Sequence, residues 1–261
     1  MQKYWPCVFF AMLGLLVACS GVGDASGTAS PHDGDGGISF QNNFGGSSLS
    51  QRNGVLKDSR DGKSYKTVEI GSQTWMAENL NYKTENSYCY DDNPANCNTY
   101  GRIYTWPAAV GMSEEKCGYG HVCGLVGTVR GACPLGWHVP TKGDWETLID
   151  FVGGKSVMGK KLKSTSGWKK GNGTDDFGFS ALPGGYRDRD DDVQRNSDAE
   201  RKYGGMGRVA NFWSSTEDSP RGETGGCAYS MNLIDDDENE DAGFYAQYKN
   251  HDICYVRCIK D

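Results

Sequence analysis

Residues 57–261 encode an α+β domain of short strands, long loops and disulfides, and three features of the chain point to it. A sustained helical period is clear in one segment, Thr141 to Val152. The other apolar and aromatic runs are short and broken by glycines, of which the 261-residue chain has 37. Cysteines recur through the same span in even number. A βαβ repeat would instead alternate its strands with helices of comparable strength.

The first segment is not part of that domain. Lys3 precedes an apolar stretch from Val8 to Ala18, and the small residue Ala18 stands directly before Cys19, so residues 1–18 read as a bacterial lipoprotein signal peptide. The stretch is shorter than the ~20 residues a spanning helix needs. The expected anchor is therefore lipid on Cys19, with thioether-linked diacylglycerol and an amide-linked chain such as palmitate, each buried CH₂ contributing about 0.8 kcal/mol. Ser20 occupies the place where an inner-membrane retention signal would put Asp, which directs the expectation to the outer membrane and its surface. Residues 19–56 are rich in Gly, Ser, Asn and Asp and too poor in apolar side chains to offset the entropy of ordering. They read as a tether of about 37 residues spanning roughly 30 to 37 Å as a flexible coil.

The folded part opens with Tyr65 to Ile70, a Gly71-Ser72 turn and Gln73 to Met76, a hairpin whose glycine supplies the positive φ of the first turn position. Asn81 to Gly131 reads as loop. In the helix, Thr141 and Asp144 form a capping-box-like pair, Trp145, Leu148, Ile149 and Val152 line one face, and Gly153-Gly154 ends it. A shorter helical piece is expected around Val157 to Leu162. Phe177 to Phe179, Phe212 to Ser214, Ala228 to Leu233, Phe244 to Tyr248 and Ile253 to Ile259 read as short strands. Along the last of these, alternation puts Cys254, Val256 and Cys258 on one face.

Of the ten cysteines, Cys7 falls in the signal and Cys19 takes the lipid. The eight that remain belong to an exported chain, which favours disulfides over a metal site. Zinc would need a second close ligand pair beside Cys254 and Cys258, and none accompanies them. Cys89 and Cys97 flank Asp91-Asp92-Asn93-Pro94, and Cys117 and Cys123 flank Gly118-Tyr119-Gly120, so local pairing is easy; Cys133, Cys227, Cys254 and Cys258 are left as long-range staples.

The formal net charge is −7, which argues against nucleic acid as a partner. Acidic runs at Asp188 to Asp192 and Asp235 to Asp241 read as solvated loops. Asp188, Asp190 and Asp192 imitate the first ligands of a calcium loop, but Val193 replaces the turn glycine and Ala199 the closing Glu, so calcium lacks a full motif and no cofactor is expected.

Six ordered blocks resemble the Fibrobacter succinogenes major paralogous domain: Asp58 to Tyr65, Trp75 to Leu80, Gly101 to Trp106, Cys133 to Thr141, Gly178 to Arg187, and Phe212 to Glu217 followed by Val256-Arg257-Cys258. The resemblance implies a C-type-lectin-like fold of the kind that also hosts formylglycine-generating enzymes. It implies disulfides Cys133 with Cys258 and Cys227 with Cys254, and a setting on secreted or lipid-anchored proteins of fibre-degrading bacteria. Two departures bear on function. The strand Trp213-Ser214-Ser215 lacks the side chains that hold calcium in sugar-binding lectins, and the cysteines are consumed by disulfides rather than held as a reactive pair.

No G-x-S-x-G, H-E-x-x-H or P-loop motif is present, and His138, flanked by Trp137 and Val139, reads as structural; catalysis is not expected. Tyr186, Tyr203, Tyr229, Tyr245 and Tyr248 lie near acidic residues in the loop-rich second half and are the candidate sugar-stacking rings. The expected function is a non-catalytic, membrane-tethered module that binds polysaccharide or another envelope component. The alternative is a scaffolding lipoprotein that meets an envelope protein, and a third reading is an oxidase-like enzyme of the formylglycine-generating type.

Overall fold

The computed structural model describes residues 53–188, 202–218, 226–235, 243–249 and 253–261. The signal segment, Cys19, the tether up to residue 52, Asp190 and Asp192 lie outside the described residues.

The expected hairpin seeds the first sheet. Strand β2 (Ser64–Ile70) turns through Gly71, at φ 62°, into β3 (Gln73–Met76), with Val68 opposite Trp75. Strand β1 (Asn53–Lys57) pairs with β2 although its first four residues fall within the span 19–56 expected to be tether. Its Val55 is 71% exposed and Leu56 alone packs against the core, so this strand is held mainly by backbone pairing and shows little of the apolar burial that marks a strand in sequence. The sheet order is β1-β2-β3-β13-β6, where β6 is Trp137–His138 and β13 is Ile259–Lys260.

The second sheet is centred on β9 (Val209–Glu217), flanked by β10 (Cys227–Ile234) and β11 (Gly243–Tyr248) on one side and by β12 (Cys254–Tyr255), β5 (Ile103–Tyr104) and β4 (Ser87–Tyr88) on the other. A ribbon of β7 (Gly184–Arg187) and β8 (Tyr203–Met206) joins it through β7 and β9. The architecture is mixed α+β.

Between β4 and β6 the chain departs from the loop expected there. It forms α1 (Pro94–Tyr100), α2 (Trp106–Val110) and α3 (Glu114–Cys117), each too short to show a helical period. The first two begin at side-chain caps, Asn93 and Thr105, with a proline at the first or second helical position. Helix α4 (Lys142–Val152) carries the complete Thr141–Asp144 capping box, and α5 (Lys155–Leu162) follows at the expected place. Phe177 to Phe179 is not a strand: Asp175, Gly178 and Ser180 all take positive φ, which breaks extended backbone there.

Two apolar clusters fill the domain. Trp75, Trp145, Phe179 and Phe212 stack in one, with Trp75 and Trp145 centroids 4.6 Å apart; Trp106, Trp213 and Val256 lie in the other. The terminal segment divides them. Cys254, Val256 and Cys258 enter the second cluster and Ile253, Tyr255 and Ile259 the first, so the expected alternation of faces persists although the strand itself is split into β12 and β13.

Disulfides join Cys89 to Cys97, Cys117 to Cys123 and Cys133 to Cys258. The implied Cys227–Cys254 bridge does not form. Strand β9 lies between their strands; Cys227 accepts a hydrogen bond from Asp218, whereas Tyr255, next to Cys254, pairs with Phe212. That register offsets the two cysteines by roughly 20 Å along β9, far beyond the Cα separation of about 7 Å that a disulfide tolerates.

Candidate functional site

A cleft of about 850 Å³ opens where β1 and β2 approach the end of α1. Strand β1 brings Asn53, Gly54 and Val55, and four further pieces of chain complete the walls. Strand β2 brings Ser64, Tyr65, Lys66 and Thr67; the turn after β3 brings Glu78, Asn79 and Asn81; α1 brings Asn98, Thr99 and Tyr100; the loop before β7 brings Ser180. Gly101 lets α1 come close: at φ 77°, a Cβ there would stand 2.7 Å from the Asn79 Cβ. Asn79 then fastens the contact, its side-chain amide donating to the Tyr100 carbonyl at 2.8 Å. Tyr65 is buried, and burial pushes its hydroxyl up to about 12, so it remains a neutral phenol where it accepts the Asn81 N–H at 3.1 Å.

Arg257 lies against this cleft and is 1% exposed. Its Nε and one terminal nitrogen donate to Asn79 Oδ1 at 3.0 and 2.7 Å, and the other terminal nitrogen donates to the Phe179 carbonyl. The guanidinium lies 4.3 Å from the Phe179 ring centroid and 5.2 Å from that of Phe212. The Phe179 carbonyl is aimed by its neighbour: Ser180 takes φ 53° and is held there by Asp175, which accepts its N–H at 2.7 Å and its hydroxyl at 2.5 Å. Burial lowers Arg257 to about 9, with Asp175 and Glu78 acting in the opposite sense, so it stays charged at neutral pH. Among the described residues no carboxylate forms an ion pair with it.

A second cleft, about 660 Å³, lies between residues 124–129 and the start of α4. Its charges are paired with one another. His138 Nδ1 is 2.7 Å from Asp261 Oδ1 and its Nε2 is 3.4 Å from Asp144 Oδ2. Burial opposes the imidazolium, but those two carboxylates outweigh it and raise His138 above its ordinary value. Glu217 accepts from Lys249 Nζ at 2.5 Å and from the N–H groups of Cys123 and Gly124 at 2.8 Å each, which holds its carboxyl low against the effect of burial. Neither Ser215, whose hydroxyl donates to the Pro140 carbonyl, nor Thr216, whose hydroxyl accepts the Lys142 N–H, is placed against His138 as a nucleophile.

None of the five candidate tyrosines lines either cleft. Tyr203 is a core residue, 8% exposed, with its hydroxyl donating to Asp92 at 2.6 Å. Tyr186 lies against Gly204 and Gly205, where an added Cβ would meet its ring at 2.9 Å. Tyr229 donates to Asp218 and carries Lys142 over its ring; Tyr248 packs edge-on against Tyr119. Tyr245, 42% exposed, lies three residues from Tyr248 and so on the opposite face of β11. The rings therefore make no common platform. Asp188 donates its N–H to the Lys202 carbonyl, and among the described residues no three His, Cys, Asp or Glu side chains gather as a metal site.

Arg257 is the residue that the sequence pattern passed over. Its signal was present: one charge inside the otherwise apolar run Ile253 to Ile259.

A family model described as the Fibrobacter succinogenes major domain matches residues 68–260. No curated protein and no solved structure matches the chain.

Proposed function

We propose, from the premise that this chain belongs to the Fibrobacter succinogenes major domain family, that it is a non-catalytic glycan-binding module tethered to the outer membrane through lipid on Cys19. The observation that carries the reading is the unspent hydrogen-bonding capacity of the larger cleft. The side chains of Ser64, Asn81 and Asn98 line it and make no hydrogen bond to the described residues. Amides and hydroxyls in that state suit sugar hydroxyls, and the half-buried Tyr100, packed on the first apolar cluster, lines the same cleft and suits a sugar's C–H face. The lipid anchor and tether keep such a cleft at the envelope, where insoluble glycans are met.

The test is retention of the full-length chain, in mild detergent, on insoluble cellulose, hemicellulose and peptidoglycan, with calcium and with chelator, beside a reduced and alkylated control. Selective retention that Asn81→Ala weakens and unfolding abolishes supports the reading. Retention on none of them, with a protein partner recovered instead, transfers the function to envelope scaffolding. Fatty-acid labelling lost in Cys19→Ser tests the anchor separately.

A further inference from the structure

The larger cleft combines two things that a neutral-sugar site does not require. Its walls offer free amides and hydroxyls, and against it lies a buried guanidinium without an ion-pair partner among the described residues. A buried charge is costly unless it is paired, and pairing is what Arg257 lacks within the described fold. Three of its five N–H groups are used, two by Asn79 and one by the Phe179 carbonyl, which leaves one hydrogen on each terminal nitrogen. Aromatic faces and a neutral amide hold the cation in place without cancelling it.

The surrounding charge runs the same way. Of the charged groups lining the cleft, Lys63, Lys66 and Arg257 are positive and Glu78 is negative. Lys63 is neutralised by Asp61 at 2.7 Å, and Lys66 is exposed at the rim. Glu78 is turned to the Lys66 backbone, accepting its N–H at 2.7 Å. In a chain of formal charge −7, a cleft with a cationic surplus is set against the prevailing field and is selective for an anion that reaches it.

We infer that this cleft takes polyuronates, glycans whose sugar rings carry carboxylates, with the exposed Lys66 receiving the carboxylate, Asn81, Asn98 and Ser64 the hydroxyls, and the buried Arg257 contributing its charge from behind the wall rather than by contact. The inference rests on the glycan reading above and narrows it to an acidic class. A charge held in a low-dielectric wall acts over several ångströms, and a hydrogen bond from the Lys66 ammonium to a carboxylate is of the strong, charge-assisted kind.

Affinity electrophoresis of the full-length chain through gels containing polygalacturonate, methyl-esterified polygalacturonate, alginate or neutral xylan provides the test. Esterification keeps the sugar ring and removes the charge. We expect retardation by polygalacturonate, by alginate or by both, at least ten-fold weaker on the methyl ester and falling with added salt. The two polyuronates differ in ring configuration and so separate a plant-wall from a bacterial source. Arg257→Gln should weaken the retardation by polyuronate several-fold and leave any retardation by xylan unchanged. Since that substitution lies in the core, Lys66→Ala, at an exposed position, is the second variant and should weaken binding several-fold with an unchanged melting temperature. Equal retardation by the ester, or by xylan, overturns the acidic inference while the glycan reading stands. No retardation by any of the four overturns the acidic inference, and the glycan reading then stands or falls on the insoluble-glycan assay.

Discussion

The two clefts of this domain are both rich in charge, and they use it in opposite ways. In the cleft beside α4, His138, Asp144, Asp261, Glu217 and Lys249 are spent on one another and on backbone N–H groups. They tie β6 to the first turn of α4, and the end of β9 to the Cys117–Cys123 loop. In the cleft beside α1, Arg257 is fixed by rings and an amide and keeps its charge. Density of titratable groups therefore marks a fastening, whereas a buried charge left without its counter-ion marks a candidate site. The difference is testable because the first kind of group should matter for stability and the second for binding.

The largest effect is expected at Lys249, whose side chain is fully buried against Glu217 and whose Nζ also donates to the His121 carbonyl at 2.8 Å. Lys249→Ala leaves a buried carboxylate without its cation and should cost about 3 to 5 kcal/mol in denaturant unfolding. If it instead left stability unchanged and altered glycan retention, the assignment of the α4 cleft as a fastening would fail. Removal of the Cys133–Cys258 disulfide comes next. It spans 125 residues and adjoins Arg257, so Cys133→Ala with Cys258→Ala should cost roughly 2 to 4 kcal/mol and, unlike Lys249→Ala, weaken glycan binding under conditions where the domain stays folded.

These effects arise where the sequence was clearest and where it was silent. Helix α4 was legible because the Thr141–Asp144 box and four apolar residues at helical spacing agree with each other. The β2–β3 hairpin was legible because its two-residue turn contains the glycine that it needs. Strand β1 and helices α1 to α3 were hidden, the first because Val55 remains exposed, the others because runs of seven, five and four residues cannot display a period of 3.6. The Cys227–Cys254 pairing failed because a shared face does not specify register: β9 separates the two strands and the offset along it is several residues. The tyrosines line neither cleft, and proximity to acidic residues in sequence became, for Tyr203 and Tyr229, hydrogen bonds to Asp92 and Asp218 within the fold.

A smaller effect is expected at the cap itself. Thr141 accepts the Asp144 N–H at 3.1 Å while the Asp144 carboxylate accepts from Thr141 in return, so Thr141→Ala should cost about 1 kcal/mol and leave binding in the α1 cleft untouched.

The smallest effect, and the sharpest for the comparison, is in pH. Asp144 and Glu217 are held below their ordinary values of 3.8 and 4.5, so the stability they contribute is present above those values and lost as pH falls through the lowered ones. His138 is raised above its ordinary 6.5, so its contribution is complete below that value and lost as pH rises through the raised one. The fastening of the α4 cleft is therefore strongest between the ordinary carboxylate range and 6.5. The melting temperature should pass through its maximum in that window, and His138→Asn should flatten the decline above it and reduce the Asp144 share of the acid limb, leaving the Glu217 share in place. Glycan binding at Arg257 should be level across the same window, because that guanidinium stays charged throughout it and no His lines its cleft. Binding that instead rose and fell with the His138 titration would mean that the two clefts communicate, and the separation of fastening from recognition would have to be given up.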